Sequence, residues 1–384
     1  MTKSFQPTLS SRLDGVGEYY FSRKLREIDN MRKEGKKIIS LGIGSPDMPP
    51  HPSVMERLAA ESAKPNTHGY QSYRGAEQLR TAFAEWYDRM FGVEINPQSE
   101  IMPLIGSKEG IMHIAMTYLN AGDRVLVPNP GYPTYTSAVT LAGGVATPYN
   151  LTAESGWLPD FESISTEGVK LMIINYPHMP TGAVATLTDL EKIVAFCREH
   201  SILLLNDNPY GFIRNNQPIS LLQIEGAKDI AMELNSLSKS HNMAGWRIGM
   251  LAASEQRITE ILRFKSNMDS GMFLPLQLAA ATALSLGSEW YEQQNGEYYA
   301  REKLGKAIFD TLGLEYAENQ AGLFLWGRLP EGKNCYDFCD TLLYEKGVFL
   351  TPGGIFGSEG ERYMRLSLCA PQSVLENVLN ILKL

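Results

Sequence analysis

The chain has 384 residues, of which 43% are hydrophobic, and it carries a formal net charge of -8 with a pI near 5.4. This composition predicts a globular protein of about two or three domains with a large buried core. The acidic balance and the lack of Lys/Arg runs argue against a nucleic-acid partner. The lack of a long apolar stretch or a signal-like start argues against a membrane partner and predicts a cytoplasmic location.

The first predicted elements are a polar helix from Arg23 to Gly35 and a strand in KKIISLGIG that ends in a turn at Ser45 to Pro50. The segment HGYQSYRGAEQLR follows, with Tyr70 five residues before Gly75. It leads into an amphipathic helix from Ala76 to Met90. By themselves, these features predict ordinary secondary structure and a loop tyrosine.

The segment IMPLIGSKEGIMHIAMTYLN places Gly106 and Ser107 between a short apolar strand and a helix that begins near Lys108. The start of a helix has unpaired N–H groups and the positive end of the helix dipole. The backbone at Ser107 and Lys108 is therefore a candidate phosphate site. Ser107 could instead be an N-cap, and the two roles are compatible. No Walker loop and no GxGxxG after a predicted strand is present.

Three further apolar strands end in polar or aromatic residues. Tyr132 follows the strand in DRVLVPNPGYPTY, and the strand in VKLMIINYPHMPTGAVA ends in a turn before the helix from Thr188 to Glu199. Asp207 ends the strand in ILLLNDNPY, with Tyr210 three residues later. A carboxylate in so apolar a setting needs a partner such as a protonated ring nitrogen. An Asx turn beside a surface tyrosine is the alternative.

The stretch from Ser236 to Gly249 reads SLSKSHNMAGWRIG and places Lys239 between two serines, eight residues before Arg247. Because Lys239 follows the mostly apolar run IAMELNSL, we predict that it lies at the end of a buried strand. Burial lowers the pKa of an amine, which can then form a Schiff base with an aldehyde. Arg247 has the planar group that binds phosphate through two hydrogen bonds. A surface lysine and a structural arginine are the alternative.

The stretch SLSKSHNMAGWRIG resembles, at every position, the lysine-attachment signature of the class I and II aminotransferases, which are pyridoxal-phosphate enzymes of fold type I. The resemblance covers the chain from about Leu41 to Leu368. It implies an α/β fold, with a mostly parallel mixed sheet between helices in a large domain and a smaller α+β domain. It also implies pyridoxal 5'-phosphate as the cofactor and a homodimer with shared active sites.

We expect the N-terminal arm and part of the small domain at residues 1–48 and the large cofactor-binding domain at 49–275. The rest of the small domain then spans 276–384 and begins with a long interdomain helix in EWYEQQNGEYYAREKLGKAIFDTL. No repeat or flexible linker separates these parts, so the sequence predicts one compact unit.

The catalytic residues that the resemblance implies are Lys239, Asp207 and Tyr210. Lys239 would bind the cofactor and then act as general base, while Asp207 would keep the ring nitrogen protonated. Tyr210 would donate a hydrogen bond to the phenolic oxygen. The implied cofactor-binding residues are Gly106, Ser107, Lys108, Tyr132, Asp207, Tyr210, Ser236, Ser238, Lys239, Arg247 and Tyr70. Tyr132 would stack on the ring, and Tyr70 would reach the cofactor phosphate across a dimer interface.

The resemblance also implies a substrate site. Arg365, in the strand YMRLSL, would bind the α-carboxylate of an amino acid through two hydrogen bonds, although an internal salt bridge is the alternative. Ile43 and Gly44 would line the carboxylate end, and Ser270 would lie near the cofactor of the partner subunit. The segment from Ser45 to Pro50 could otherwise be an ordinary turn.

Met179 departs from the family pattern, which has asparagine immediately before PTG, where its amide contacts the phenolic oxygen of the cofactor. A thioether cannot donate that hydrogen bond. Its loss should raise the pKa of the Schiff base unless His178, Asn175 or water replaces the donor. Met179 could also be a simple core residue.

These roles imply an aminotransferase that moves an amino group between an L-amino acid and a 2-oxo acid by a ping-pong mechanism. A pyridoxal-phosphate C–S lyase acting on cystathionine-like substrates would share the same residues. A cofactor-binding protein without activity is a third reading, supported only by Met179.

The donor stays open between aspartate, alanine and neutral or aromatic amino acids. Arg74 could supply a second cation for a dicarboxylic donor, whereas Tyr19, Tyr20 and Phe21 could form an apolar lid. The segments QSYRGA, GSKEGI and NMAGWRIG are most similar to the diaminopimelate and alanine/aspartate branch. The four cysteines, Cys197, Cys335, Cys339 and Cys369, predict reduced thiols and no metal site.

Overall fold

The computed structural model describes residues 7–18 and 20–383. Its helices are α1 Tyr20–Lys33, α2 Pro52–Ser62, α3 Glu77–Phe91, α4 Ser107–Tyr118, α5 Thr134–Leu141, α6 Leu187–Glu199, α7 Leu237–Ser240, α8 Glu255–Lys265, α9 Leu274–Leu284, α10 Ser288–Leu312, α11 Cys335–Lys346 and α12 Gln372–Lys383. Its strands are β1 Ile39–Ser40, β2 Ile101–Leu104, β3 Arg124–Asn129, β4 Val145–Asn150, β5 Val169–Ile174, β6 Leu203–Asp207, β7 Ala231–Ser236, β8 Gly249–Ala253, β9 Glu315–Tyr316, β10 Phe324–Arg328, β11 Val348–Phe349, β12 Thr351–Pro352 and β13 Tyr363–Ser367.

The largest sheet has seven strands in the order β2-β8-β7-β6-β5-β3-β4. Strand β8 runs antiparallel to both of its neighbours, and the strands from β7 to β4 are parallel. Helices cover both faces of this sheet. Successive side chains of a strand point to opposite sides, so the two faces of β5 contact different helices. Leu171 and Ile173 of β5 pack in the cluster with α4 and α8, whereas Met172 and Ile174 pack with α6. The predicted mixed, mostly parallel sheet between helices is confirmed.

The smaller part of the fold is built on an antiparallel sheet in the order β12-β13-β10-β9. Strand β1 lies apart from it and pairs with β11 in parallel, with Ile39 opposite Val348. One hydrophobic core joins this part to α1, α11 and α12, so residues from both ends of the chain stabilise it.

Helix α10 connects the two parts of the molecule. Its first turns pack with α3 and α9 through Tyr291, whereas Ile308 and Phe309 near its end belong to the core of the small sheet. The limits of the domains at residues 48 and 275 stay predictions. Within residues 7–18 and 20–383, no helix has both the length and the apolar character needed to cross a bilayer.

The candidate site lies at one edge of the large sheet. Strands β5, β6 and β7 are parallel and end at Ile174, Asp207 and Ser236, and Asn175 directly follows β5. Strand β2 points the same way because β8 is antiparallel to both β2 and β7. Ligands in open α/β sheets bind outside the carboxyl ends of parallel strands. The sheet thus brings together residues that are far apart in the sequence.

Candidate active site

A cavity of about 500 Å³ opens at this edge of the sheet. Most of the predicted site residues line it: Ile43, Gly44, Ser107, Lys108, Tyr132, Asp207, Tyr210, Ser236, Ser238, Lys239, Arg247 and Arg365. Gly106 lies beside Arg247, whereas Tyr70 and Ser270 do not line the cavity.

Lys239 lies immediately after a buried strand, as the sequence predicts. Strand β7 ends at Ser236, whose hydroxyl accepts a hydrogen bond from the Ser238 amide at 3.1 Å and caps the single turn α7. The Lys239 ammonium donates to the Gly44 carbonyl. Burial lowers the pKa of Lys239, and the positive charges of Arg247 and Arg365 also lower it. The amine is therefore easier to deprotonate than a surface lysine.

Asp207 ends β6 and is 4% exposed. The Tyr135 hydroxyl donates to Asp207 Oδ2 at 2.9 Å, while Oδ1 is buried and has no hydrogen-bond partner among the described residues. Burial raises the pKa of Asp207 to about 6, and the hydrogen bond from Tyr135 partly opposes that rise. A cationic donor at Oδ1 would satisfy this carboxylate, and the protonated ring nitrogen of pyridoxal phosphate is such a donor.

The start of α4 lies against Arg247. Gly106 occupies the N-cap with φ 78°, and a Cβ on it would lie 2.0 Å from Arg247 Nη2. A Cβ on Gly249 would lie 2.6 Å from the Ser107 amide nitrogen. The alternative of Ser107 as the N-cap is wrong, because the helix begins one residue earlier than predicted and Ser107 is its first residue. Two glycines thus allow helix amides and a guanidinium to meet where an anion can bind.

Arg247 is held in place by neighbouring backbone and hydroxyl groups. It has a left-handed backbone with φ 58°, and Nη1 donates to the Ala244 carbonyl at 2.9 Å. The Ser238 hydroxyl lies 3.5 Å from the same nitrogen and 2.9 Å from the Ser236 hydroxyl. This end of the cavity thus collects hydroxyl, amide and guanidinium donors, which suits a phosphate group.

Arg365 lines the same cavity from β13 of the smaller sheet. It is 4% exposed, and Nη2 donates to the Gly42 carbonyl at 2.7 Å. Its guanidinium carbon lies 3.8 Å from the ring centre of Phe324. A Cβ on Gly44 would lie 2.2 Å from that ring, so the glycine allows the backbone to pass beside it. A buried guanidinium that lines the same cavity as Lys239 is suited to bind a carboxylate.

Comparisons with known proteins agree with this geometry. Residues 36–382 match the family model described as aminotransferase class I and II. The chain belongs to the class I and II aminotransferases. It is a pyridoxal-phosphate-dependent aminotransferase of fold type I, as the sequence predicts. The orphaned Asp207 oxygen and the donors around Arg247 fit that cofactor.

Two curated relatives are LL-diaminopimelate aminotransferases. The protein from Dehalococcoides mccartyi is 40% identical over 375 residues, which are 96% of each chain. The protein from Aquifex aeolicus is 39% identical over 369 residues, covering 94% of this chain and 95% of the relative.

Solved aminotransferase structures have the same fold. Substrate-bound BacF from Bacillus subtilis is 36% identical with a TM-score of 0.94, covering 98% of this chain and 97% of that one. A probable N-succinyldiaminopimelate aminotransferase from Thermus thermophilus is 31% identical with a TM-score of 0.87, covering 94% and 98%.

Met179 lines the cavity of this aminotransferase and also belongs to the core of the smaller part. Its sulfur accepts a hydrogen bond from Arg365 Nη1 at 3.3 Å. The Asn175 amide donates to the Asp207 carbonyl and accepts from the Met179 amide at 2.8 Å. His178 does not line the cavity, and its Nδ1 lies 2.8 Å from the Thr181 hydroxyl. His178 therefore does not replace the missing amide donor, whereas Asn175 lines the cavity and uses one of its two amide hydrogens on the Asp207 carbonyl.

Two tyrosines of the aminotransferase site have hydroxyl groups that can donate hydrogen bonds. Burial raises the pKa of Tyr210, so its hydroxyl stays protonated and can donate a hydrogen bond. Tyr135 was missed by the sequence argument, although it lies three residues after Tyr132 and so within one helical turn. The rings of Tyr132 and Tyr135 meet edge to face at 5.6 Å.

Tyr70 is 93% exposed, and Ser270 is also exposed. Their two loops are neighbours, since a Cβ on Gly271 would lie 2.9 Å from the Gln71 carbonyl oxygen. Arg74 donates to the Gln98 carbonyl at 2.7 Å and does not line the cavity. The hypothesis that Arg74 is the second cation for a substrate therefore has no support within the described residues of one subunit.

The predicted apolar lid is present in part. Phe21 lines the cavity, whereas the Tyr20 ring packs against Phe21 at 6.0 Å and Tyr336 at 6.3 Å. Tyr19 lies outside the described residues. Leu25, which the sequence argument missed, lines the cavity one helical turn after Phe21.

Residues of the metal-ligand type also occur on α4 and in the loop after α8. Glu109, His113 and Asp269 come together there, and Lys265 forms an ion pair with Asp269, so a lysine supplies positive charge to the cluster. All four cysteines are free thiols.

Proposed function

We propose that this aminotransferase converts L-amino acids to 2-oxo acids with Lys239 as the catalytic base and Arg365 as the carboxylate anchor. The supporting observation is that the Lys239 amine and the Arg365 guanidinium line one cavity, with the orphaned Asp207 oxygen in the same wall. An amino acid bound through its carboxylate would present its Cα to the lysine.

Each residue has a separate role in binding the cofactor. Bound pyridoxal phosphate supplies the electron sink that makes the Cα proton acidic. Asp207 would pair with the ring nitrogen and keep it protonated, and Tyr210 would donate to the phenolic oxygen. The α4 amides at Ser107 and Lys108, together with Arg247, would bind the phosphate, and Tyr132 would cover the ring.

Lys239 then transfers the proton. Its amine must be neutral to remove the Cα proton, and burial beside two guanidinium groups favours the neutral form. Arg365 fixes the orientation of the Cα–H bond, which removes an entropic cost from the transfer. Hydrolysis would release a 2-oxo acid and leave the amino group on the cofactor, and a second oxo acid would take up that amino group by the reverse steps.

We also propose a homodimer in the cytoplasm, with Tyr70 completing the phosphate site of the partner subunit. Its support is a set of exposed apolar side chains on neighbouring loops, Tyr70, Tyr73, Met268 and Phe273. The Phe273 ring lies 5.7 Å from the His68 ring, which places the two loops on one face. Sedimentation of the purified protein should give a dimer, and a monomer that binds cofactor fully would contradict the shared site.

A spectroscopic experiment tests the proposed function. Purified protein with added cofactor should show a visible band that L-amino acids bleach without any acceptor. Lys239→Ala should lose that reaction, whereas Lys192→Ala on the exposed face of α6 should keep it. Release of pyruvate and ammonia would instead support a C–S lyase, and lack of any band would support neither enzyme.

A further inference from the structure

The charged groups of the cavity are unevenly placed. Among the described lining residues, the charged ones are Lys108, Asp207, Lys239, Arg247 and Arg365. Lys108 and Lys239 follow β2 and β7, Asp207 is the last residue of β6, and Arg247 precedes β8. All four therefore lie at the edge of the large sheet. One charged group, Arg365, therefore remains on the side formed by the smaller part.

Aromatic rings surround that guanidinium. The Arg365 guanidinium carbon lies 3.8 Å from the ring centre of Phe324, 4.7 Å from Phe356 and 5.6 Å from Phe21. Rings at these distances stabilise the cation. They also form the wall that a substrate side chain meets when its α-carboxylate is bound at Arg365.

Helix α1 adds a second apolar face to this wall. Phe21 and Leu25 are four residues apart, so they lie on the same side of α1, and both line the cavity. Lys24 joins this helix to α11 through an ion pair with Asp340 at 3.0 Å, and it also pairs with Glu27 within α1 at 2.9 Å. Ile43, on the segment before α2, also lines the cavity.

We propose that the amino donor of this enzyme carries an aromatic or large aliphatic side chain, which packs against Phe21, Leu25, Phe324 and Phe356. This inference rests on the proposed function. LL-diaminopimelate, for which the relatives are named, has an ammonium and a carboxylate at its far end. Among the described residues of one subunit, that side of the cavity offers these charges no ionised partner besides Arg365, and desolvating an unpaired charge is costly.

The wild-type enzyme gives the first test. Single-turnover bleaching of the holoenzyme should be at least about 100-fold more efficient, as rate over dissociation constant, with L-phenylalanine or L-leucine than with LL-diaminopimelate. Equal or greater efficiency with LL-diaminopimelate would overturn the inference but leave the proposed function intact. Failure of every amino acid to bleach the band would instead overturn the proposed function.

Two variants test the residues themselves. Phe21→Ala and Leu25→Ala should each weaken phenylalanine binding about tenfold more than they weaken L-alanine binding, because alanine does not reach the wall. Leu187→Ala is the matched control, since Leu187 is 39% exposed at the start of α6. Equal losses with both amino acids would show a general structural role and refute the assignment.

Discussion

Replacing Asp207 by asparagine should make the unfolding free energy of the apoenzyme less dependent on pH. The ordinary pKa of this carboxyl group, 3.8, rises to about 6 because the group is buried. At about 1.4 kcal/mol per pKa unit, the difference corresponds to about 3 kcal/mol of unfolding free energy. A carboxyl group with a raised folded-state pKa contributes stability that is complete below its unfolded pKa. That stability is lost as the pH rises through the folded pKa.

Denaturant unfolding of the apoenzyme at pH 4 and pH 7.5 measures this effect. The unfolding free energy of wild type, relative to Asp207→Asn, should fall by about 2 to 3 kcal/mol from the lower to the higher pH. Contributions that do not depend on pH cancel in this comparison. Asp88→Asn is the control, because Asp88 lies on the exposed side of α3.

Cofactor should abolish this dependence. A cationic ring nitrogen beside Asp207 Oδ1 favours the ionised carboxylate and so returns its pKa toward or below 3.8. The same substitution should lower activity, so the variant would gain relative stability at neutral pH while losing function. Identical pH dependence of apo wild type and apo Asp207→Asn would refute the burial argument.

Three other substitutions test separate parts of the cavity. Arg365→Lys should raise the KM for amino acids about a hundredfold while leaving cofactor affinity unchanged, because an ammonium cannot form the paired hydrogen bonds to a carboxylate; steady-state kinetics and a cofactor titration measure both. Gly106→Ala should weaken cofactor binding at least about tenfold, since the new Cβ displaces Arg247, which a fluorescence titration would detect. Met179→Asn should lower the pH midpoint of the absorbance change of the bound cofactor by about one unit, because the amide can donate to its phenolic oxygen; a spectrophotometric titration gives the midpoint.

For each of these predictions, one result would contradict the reasoning. An unchanged KM in Arg365→Lys would mean that another group binds the carboxylate. For Gly106→Ala the control is Gly35→Ala, because Gly35 also has a positive φ, 88°, but no atom within 4 Å of its missing Cβ. Equal cofactor affinity in these two variants would refute the contact with Arg247. An unshifted midpoint in Met179→Asn would mean that the amide does not reach the phenolic oxygen.

The sequence predicts the parts of the fold that depend on local pattern. Strand ends at Asp207 and Ser236 follow from apolar runs that stop at polar residues, and the helix after Gly106 follows from its turn residue. Lys239 lies between two serines, and Arg247 follows it at a recognisable spacing of eight residues. These residues lie close together because parallel strands end at one edge of the sheet.

Other features depend on contacts between distant segments, which local pattern does not encode. Tyr135 could be read as a helix residue, but its hydrogen bond to Asp207 requires β3 and β6 to be close in the sheet. The role of Leu25 requires α1 to cover the cavity from the smaller part. Likewise, the commitment of Asn175 to the Asp207 carbonyl becomes visible only in three dimensions.

The pairing of β1 with β11 affects the order in which this protein can fold during synthesis. Ile39 pairs with Val348, so the first strand has no partner until more than 300 residues have followed it out of the ribosome. The large sheet, from Ile101 to Ala253, can form in the meantime. Arg365, the proposed substrate anchor, emerges later still. A nascent chain can therefore assemble the proposed phosphate side of the cavity well before the proposed carboxylate anchor is present.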